Sequence, residues 1–199
     1  MKEGTCWVSP FVGSNPTPCN MKLKGYQNSK LVIQKGENVI IREAKKSDLN
    51  QIKEMNWNFF NFYLDNKFDD LMKRSEKARI WGRRFIDRTF KNKNWKYFVA
   101  EDNKKLVGFI NGKVDNCYPI YGENKYGVIW LVYVDESYRN KGIGKKLVNK
   151  LITWLKKKKI KFVETSVSPL NKISQKMLES LGFKEIKKSI GLKLIFKCF

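Results

Sequence analysis

Histidine is absent from this chain of 199 residues. That excludes Ser-His-Asp and Cys-His catalysis and every zinc site built on imidazole. Four cysteines, Cys6, Cys19, Cys117 and Cys198, are scattered without Cys-x-x-Cys spacing. Neither a disulfide framework nor a metal site is therefore expected. No apolar run approaches the ~20 residues that a membrane helix needs. The N-terminus lacks a basic segment followed by a sustained apolar core, so no secretory signal is read there. The cytoplasm is the expected location, with no membrane partner. Catalysis, if any, falls to carboxylates, hydroxyls, backbone groups or a thiol.

Acidic residues are scarce: 19 Asp and Glu stand against 41 Lys and Arg, a formal net charge of +22. A nucleic-acid partner is one reading of that charge. The other is a compositional excess of lysine on solvated faces. The second is the expectation, because lysines occur in every segment after residue 20 and no zinc-finger or aromatic RNA-binding motif appears. A basic surface also attracts anionic small molecules. At 42% hydrophobic and 14% aromatic residues the composition is that of a folded chain with one sizeable core.

Residues 1–20 differ from the rest, with one lysine, one glutamate, two of the four cysteines and three of the five prolines. Gly13-Ser14-Asn15-Pro16 matches what the T-arm of a tRNA gene would encode if translated. The segment reads either as a spurious leader with Met21 as the true start, or as a disordered tail. The expected organisation is thus 1–20 leader, 21–37 flexible lead-in and 38–199 a single domain.

The apolar run Val128 to Val134 reads as a buried strand, and an amphipathic helix begins near Gly144. Between them lies Arg139-Asn140-Lys141-Gly142-Ile143-Gly144. A basic residue and two spaced glycines between strand and helix describe an anion cradle, with backbone N–H groups converging on a phosphate. A glycine turn with an exposed arginine is the plainer alternative. No Gly-x-x-x-x-Gly-Lys-Ser/Thr string is present. The third glycine of the dinucleotide fingerprint is missing as well. A second block follows: Val167-Ser168-Pro169-Leu170-Asn171, then Ser174 and Leu181-Gly182-Phe183.

The first block resembles the acyl-CoA pyrophosphate loop of the GNAT superfamily of N-acyltransferases, Arg/Gln-x-x-Gly-x-Gly/Ala after a strand. The second resembles that family's strand, asparagine, helix and Leu-Gly-Phe ending. The blocks lie in the family's order, and the resemblance extends from about Val39 to the C-terminus. It implies an α/β domain of the α+β kind: a central mixed sheet with splayed parallel strands and about four helices. It implies acetyl-CoA as co-substrate and a primary amine as acceptor, hence a transferase. Backbone groups of Val132 and Val134 would pair with the pantetheine arm. Arg139, Asn140, Lys141, Gly142, Ile143 and Gly144 would hold the pyrophosphate, and Asn171 would bond the arm. The N–H of Val134 would be the oxyanion donor. A glutamate or a water chain would take the amine's proton; Glu164, Glu123 and Asp135 are candidates that no spacing separates, so the catalytic residues stay unassigned. At the position where family members often carry a proton-donating tyrosine, this chain has Leu178. Ser174 is the nearest hydroxyl in sequence, though it also reads as a small helix-packing residue. A CoA-binding sensor or scaffold without efficient transfer is therefore a second expectation.

The remaining pattern predicts a strand at 39–42 and a helix capped by Ser47 that carries Trp57, Phe59, Phe60, Phe62 and Tyr63. A basic helix follows over 69–90. Strands are expected at 97–100, 106–110, 128–134 and 161–167, with 111–126 as strand end and loop. Helices are expected over 144–158 and 171–181, and a hairpin over 183–189 and 191–197. If some aromatics beside the arginines line a groove, the acceptor is partly aromatic or acidic, for example a peptide terminus.

Overall fold

The computed structural model describes residues 38–69, 72–117 and 122–186. The leader, the lead-in and most of the hairpin expected over 183–197 lie outside those residues; its first four, 183–186, are described and form no strand. Five strands form one sheet in the order β1-β2-β3-β4-β5: Ile40–Glu43, Trp95–Asp102, Lys105–Asn116, Lys125–Val134 and Val163–Thr165. The first three junctions are antiparallel, and β4 and β5 run parallel. The described residues also form four helices: α1 Leu49–Asp65, α2 Glu76–Phe90, α3 Ile143–Lys157 and α4 Lys172–Glu179. This is the mixed sheet with a parallel pair that the sequence resemblance implied; among the described residues that pair lies at one edge.

The sheet is covered on both faces. Leu147, Val148, Leu151 and Leu155 recur at helical spacing along α3 and are fully buried against Phe98, Ala100, Val107 and Ile110. On the opposite face Ile52 and Met55 of α1 and Phe85 and Ile86 of α2 pack on Tyr97, Val99, Phe109 and Leu131. The central strand β3 is buried on both sides, which explains its nearly continuous apolar stretch from Leu106 to Ile110.

Several boundaries differ from expectation for local reasons. A short 3-10 turn, Lys46–Asp48, precedes α1. Asp48, not Ser47, is the N-cap residue of α1, and its carboxylate closes the 3-10 turn instead, accepting from the Lys45 N–H at 2.7 Å. Helix α2 begins at Glu76 because Ser75 caps it, accepting from the Ala78 N–H at 3.1 Å. Strands β3 and β4 continue to Asn116 and back from Lys125, so much of the stretch expected as loop is paired sheet. Cross-strand pairing there overrides the polar composition. Strand β5 pairs over only three residues.

Candidate active site: an open strand edge and an amide-lined bend

Strands β4 and β5 pair at Gly127–Val163, Val128–Glu164 and Ile129–Thr165, and then part. The last link is the Thr165 hydroxyl, which donates to the Ile129 carbonyl at 3.1 Å. Beyond it the β4 edge has no partner strand among the described residues. The register with β3 shifts at Asn111/Gly112, which pair with Leu131 and Ile129, so Trp130 is an extra residue, a β-bulge. The bulge exchanges which peptide groups face which neighbour. Before it, the Gly127 N–H donates toward β5, to Phe162; after it, the Asp135 N–H donates toward β3, to Val107. By alternation Val132 and Val134 direct their N–H and C=O groups into the gap beside β5.

A groove follows this gap. Its walls are Phe59 and Tyr63 of α1, Ile129 to Val132 of β4, Thr165 to Val167 after the parting, and Ser174, Met177 and Leu178 of α4. Leu178 is buried and makes an apolar wall where a tyrosine would have brought a hydroxyl. Ser174 brings a hydroxyl to the same groove. Sequence spacing alone left that serine as a packing residue.

At the end of β4 the chain makes a 3-10 turn, Glu136–Tyr138, and then the bend. Asn140 and Gly142 adopt left-handed conformations, with φ of 61° and 72°. Helix α3 starts at Ile143. Within α3 the first amide to donate to a backbone carbonyl is that of Lys146, to Gly142. The N–H groups of Asn140, Gly142, Ile143, Gly144 and Lys145 donate to no backbone carbonyl among the described residues. Five such donors at the start of a 15-residue helix fit an anion. The two glycines have separate tasks. A Cβ at Gly142 would meet nothing within 4 Å, so the space in front of the bend is open. A Cβ at Gly144 would stand 2.9 Å from Met177 Sδ, so that glycine lets α4 approach α3.

Two expected ligands have other partners here. The Arg139 Nε donates to the Val134 carbonyl at 3.1 Å, and its guanidinium lies 4.3 Å from the centre of the Phe62 ring. It crosses the open edge toward α1. The buried Asn171 is the N-cap of α4, its Oδ1 accepting from the Ser174 N–H at 3.1 Å. Among the carboxylates, Glu123 pairs with Lys161 at 2.9 Å, beyond the far end of β4. At about 3.3 Å per residue it is more than about 20 Å along the strand from Val132. Glu164 pairs in register with Val128, about 13 Å before Val132 by the same rise. Asp135 lies beside Tyr133, whose hydroxyl is pushed up to about 12, first by burial and then by the Asp135 charge. No metal-binding group of His, Cys, Asp and Glu occurs among the described residues.

An open strand edge leading to an amide-lined helix start defines a binding domain for an extended molecule with an anionic head. The chain belongs to the acetyltransferase (GNAT) family, whose pattern matches residues 50–183. Among its relatives is an uncharacterized N-acetyltransferase of Methanocaldococcus jannaschii, 33% identical over 147 residues, 73% of this chain and 60% of that protein. An L-2,4-diaminobutyric acid acetyltransferase of Halalkalibacterium halodurans is 34% identical over 84 residues, 42% of each chain. The match thus spans less than two thirds of either relative. The fold is also that of the aminoglycoside N-acetyltransferase AAC(6')-Iy in complex with CoA. That structure has a TM-score of 0.65 at 18% identity, with 82% of this chain and 99% of that one covered. No helix among the described residues is long and apolar enough to cross a membrane.

Proposed function

We propose that this domain moves an acetyl group from acetyl-CoA to a primary amine by direct attack of the amine. The observation that carries the reading is the continuity of the open β4 edge with the five undonated amides at the start of α3. Acetyl-CoA, when bound, supplies an already activated thioester. The residues of the chain bind, align and polarise. Amides from Asn140 to Lys145 hold the diphosphate, and the helix start adds roughly half a positive charge. Val132 and Val134 take the extended arm as an added strand. Val134 keeps one carbonyl lone pair for this, since Arg139 uses the other. The Val132 N–H, on the groove wall, is better placed than that of Val134 to meet the charge developing on the acyl oxygen.

A lysine-like acceptor has a pKa of roughly 10.4 and sheds a proton before attack. None of the three candidate carboxylates lines the groove, so water in the groove is the assigned proton acceptor. Ser174 holds the α4 hydroxyl on that groove. The apolar wall at Leu178 also favours a second reading, a CoA-binding scaffold with slow transfer.

Calorimetric titration with acetyl-CoA tests the first step. Gly142→Glu places a negative side chain in the open space of the cradle and is expected to abolish binding seen with the wild type. Equal affinity of the two proteins would overturn the assignment. Thiol release on addition of amines then separates transferase from scaffold.

A further inference from the structure

One wall of the groove, Trp130, is the end of an aromatic stack that runs away from it into α2. Phe85 of α2 lies between two indoles. Trp81 stacks on it at 5.4 Å between ring centres with planes 20° apart, and Trp130 at 5.5 Å and 26°. Trp95 stands edge-on to both Phe85 and Trp130. The stack is anchored at its centre, where Phe85 is buried, and uncovered at its ends. Trp81 is 54% exposed and Trp130 is 49% exposed. Burying such rings would be favourable; Trp130, a wall of the groove, is left half open there and calls for an occupant, whereas Trp81 faces a separate hollow between α1 and α2 with Trp57, Phe60 and Leu64. Trp130 is also the bulge residue, next to the last paired residue of β4 and two before Val132. A molecule lying on its ring therefore lies at the parting of the strands.

The charge beside the stack is positive. Trp81, Arg84, Phe85 and Arg88 fall at i, i+3, i+4 and i+7 and share one stripe of α2. Arg79 and Arg83 share Glu54 as a partner. Arg84 and Arg88 are exposed and make no ion pair among the described residues. A polycationic acceptor would be repelled here. A ring would be stacked, and an anionic group would find paired guanidiniums.

We propose that Trp130 and the Arg84–Arg88 pair form the acceptor subsite, and that the acceptor is a small amine carrying a planar ring and a carboxylate. This rests on the transferase reading of the groove. The amine would lie at the parting of β4 and β5, the ring against Trp130 and the carboxylate toward α2.

Three matched probes separate the contributions on the full chain, with and without saturating CoA. They are 4-(aminomethyl)benzoate, benzylamine without its carboxylate, and the saturated trans-4-(aminomethyl)cyclohexanecarboxylate. Binding is read by calorimetry and by indole fluorescence excited at the red edge. The benzoate is expected to bind and to change the indole emission. Loss of the carboxylate should weaken binding about tenfold, and loss of the flat ring about fivefold. Trp130→Ala should erase the ring preference. The double variant Arg84→Gln, Arg88→Gln should erase the carboxylate preference and leave CoA affinity unchanged. Equal affinity for all three probes, tighter binding of a polycation, or no response to either variant would overturn the proposal. So would concentration-dependent burial of the indoles, which would make the patch a contact between copies. Failure of CoA to bind while the benzoate binds as described would sink the transferase reading and leave the ring site standing. CoA binding without probe binding would do the reverse.

Discussion

Asp48 shows how a single side chain ties the first strand to the first helix. Its carboxylate, 6% exposed, receives Arg42 Nη1 at 2.7 Å and Nη2 at 3.0 Å, besides the Lys45 amide. Arg42 also reaches Glu101 through its Nε at 2.6 Å. The Arg42 hydrogen bonds, foremost, hold the Asp48 carboxyl below its usual range against the opposing effect of burial. A depressed carboxylate contributes stability that is fully present above its unfolded pKa of roughly 3.9 and is lost as pH falls through the folded value. Asp48→Asn is therefore expected to cost about 1–3 kcal/mol at neutral pH. In urea denaturation the gap to the wild type should close well below pH 4. A gap of the same size at pH 7 and pH 3 would show that the charge is not what matters. Arg139 carries a related lesson. An arginine beside a proposed diphosphate site spends its Nε on the Val134 carbonyl and its face on Phe62, so proximity in sequence did not give its direction.

The β3–β4 ladder is where one irregularity does most for function. Without the extra residue Trp130, the peptide groups of Leu131 and Tyr133, not Val132 and Val134, would face the gap. The same place holds a local conflict. Asn111, opposite Leu131 and Tyr97, is fully buried; its side-chain amide makes no hydrogen bond of normal geometry among the described residues, with the Tyr97 hydroxyl beside it. A buried, unsatisfied amide costs about 1–3 kcal/mol. Asn111→Leu, close in volume, is expected to leave stability unchanged or to raise it by up to that amount. A thermal scan that instead showed a large loss would mean that the amide is bonded, for example through a buried water. Helix α2 ends its contact with the sheet through a polar pair of another kind. The Thr89 and Tyr97 hydroxyls meet at 2.5 Å inside the second core, and burial foremost pushes the Tyr97 phenol up.

Across the whole molecule, two apolar layers hold one sheet, and the open edge lies where the fifth strand runs out after three residues. The formal charge of +22 acts at this scale. Exposed lysines at the end of α3, Lys156 and Lys157, sit where a helix terminus favours positive charge, so they serve the fold locally. Their summed field still attracts an anionic co-substrate. Acetyl-CoA affinity is expected to fall several-fold between low and high salt, because a Debye length of about 10 Å at 0.1 M shrinks to about 3 Å at 1 M. Calorimetry at two ionic strengths measures this, and a salt-independent affinity would show that the field plays no part.

The sequence by itself determined the family, the strand–bend–helix unit at 128–158, the apolar stripe of α3 and the stop of the last helix at Gly182. These follow from local periodicity, glycine placement and capping chemistry, which need no distant partner. It also named Val132 and Val134 through the family resemblance, but not why they face the gap. Tertiary structure alone decided the rest: the bulge at Trp130, the early end of β5, the turn of Arg139 toward Phe62 and the stacking of Trp81, Phe85 and Trp130. Each depends on which residue of one element meets which residue of another. Register between strands and the approach of helices to a sheet are set by packing across the whole core, and no window of neighbouring residues carries that information.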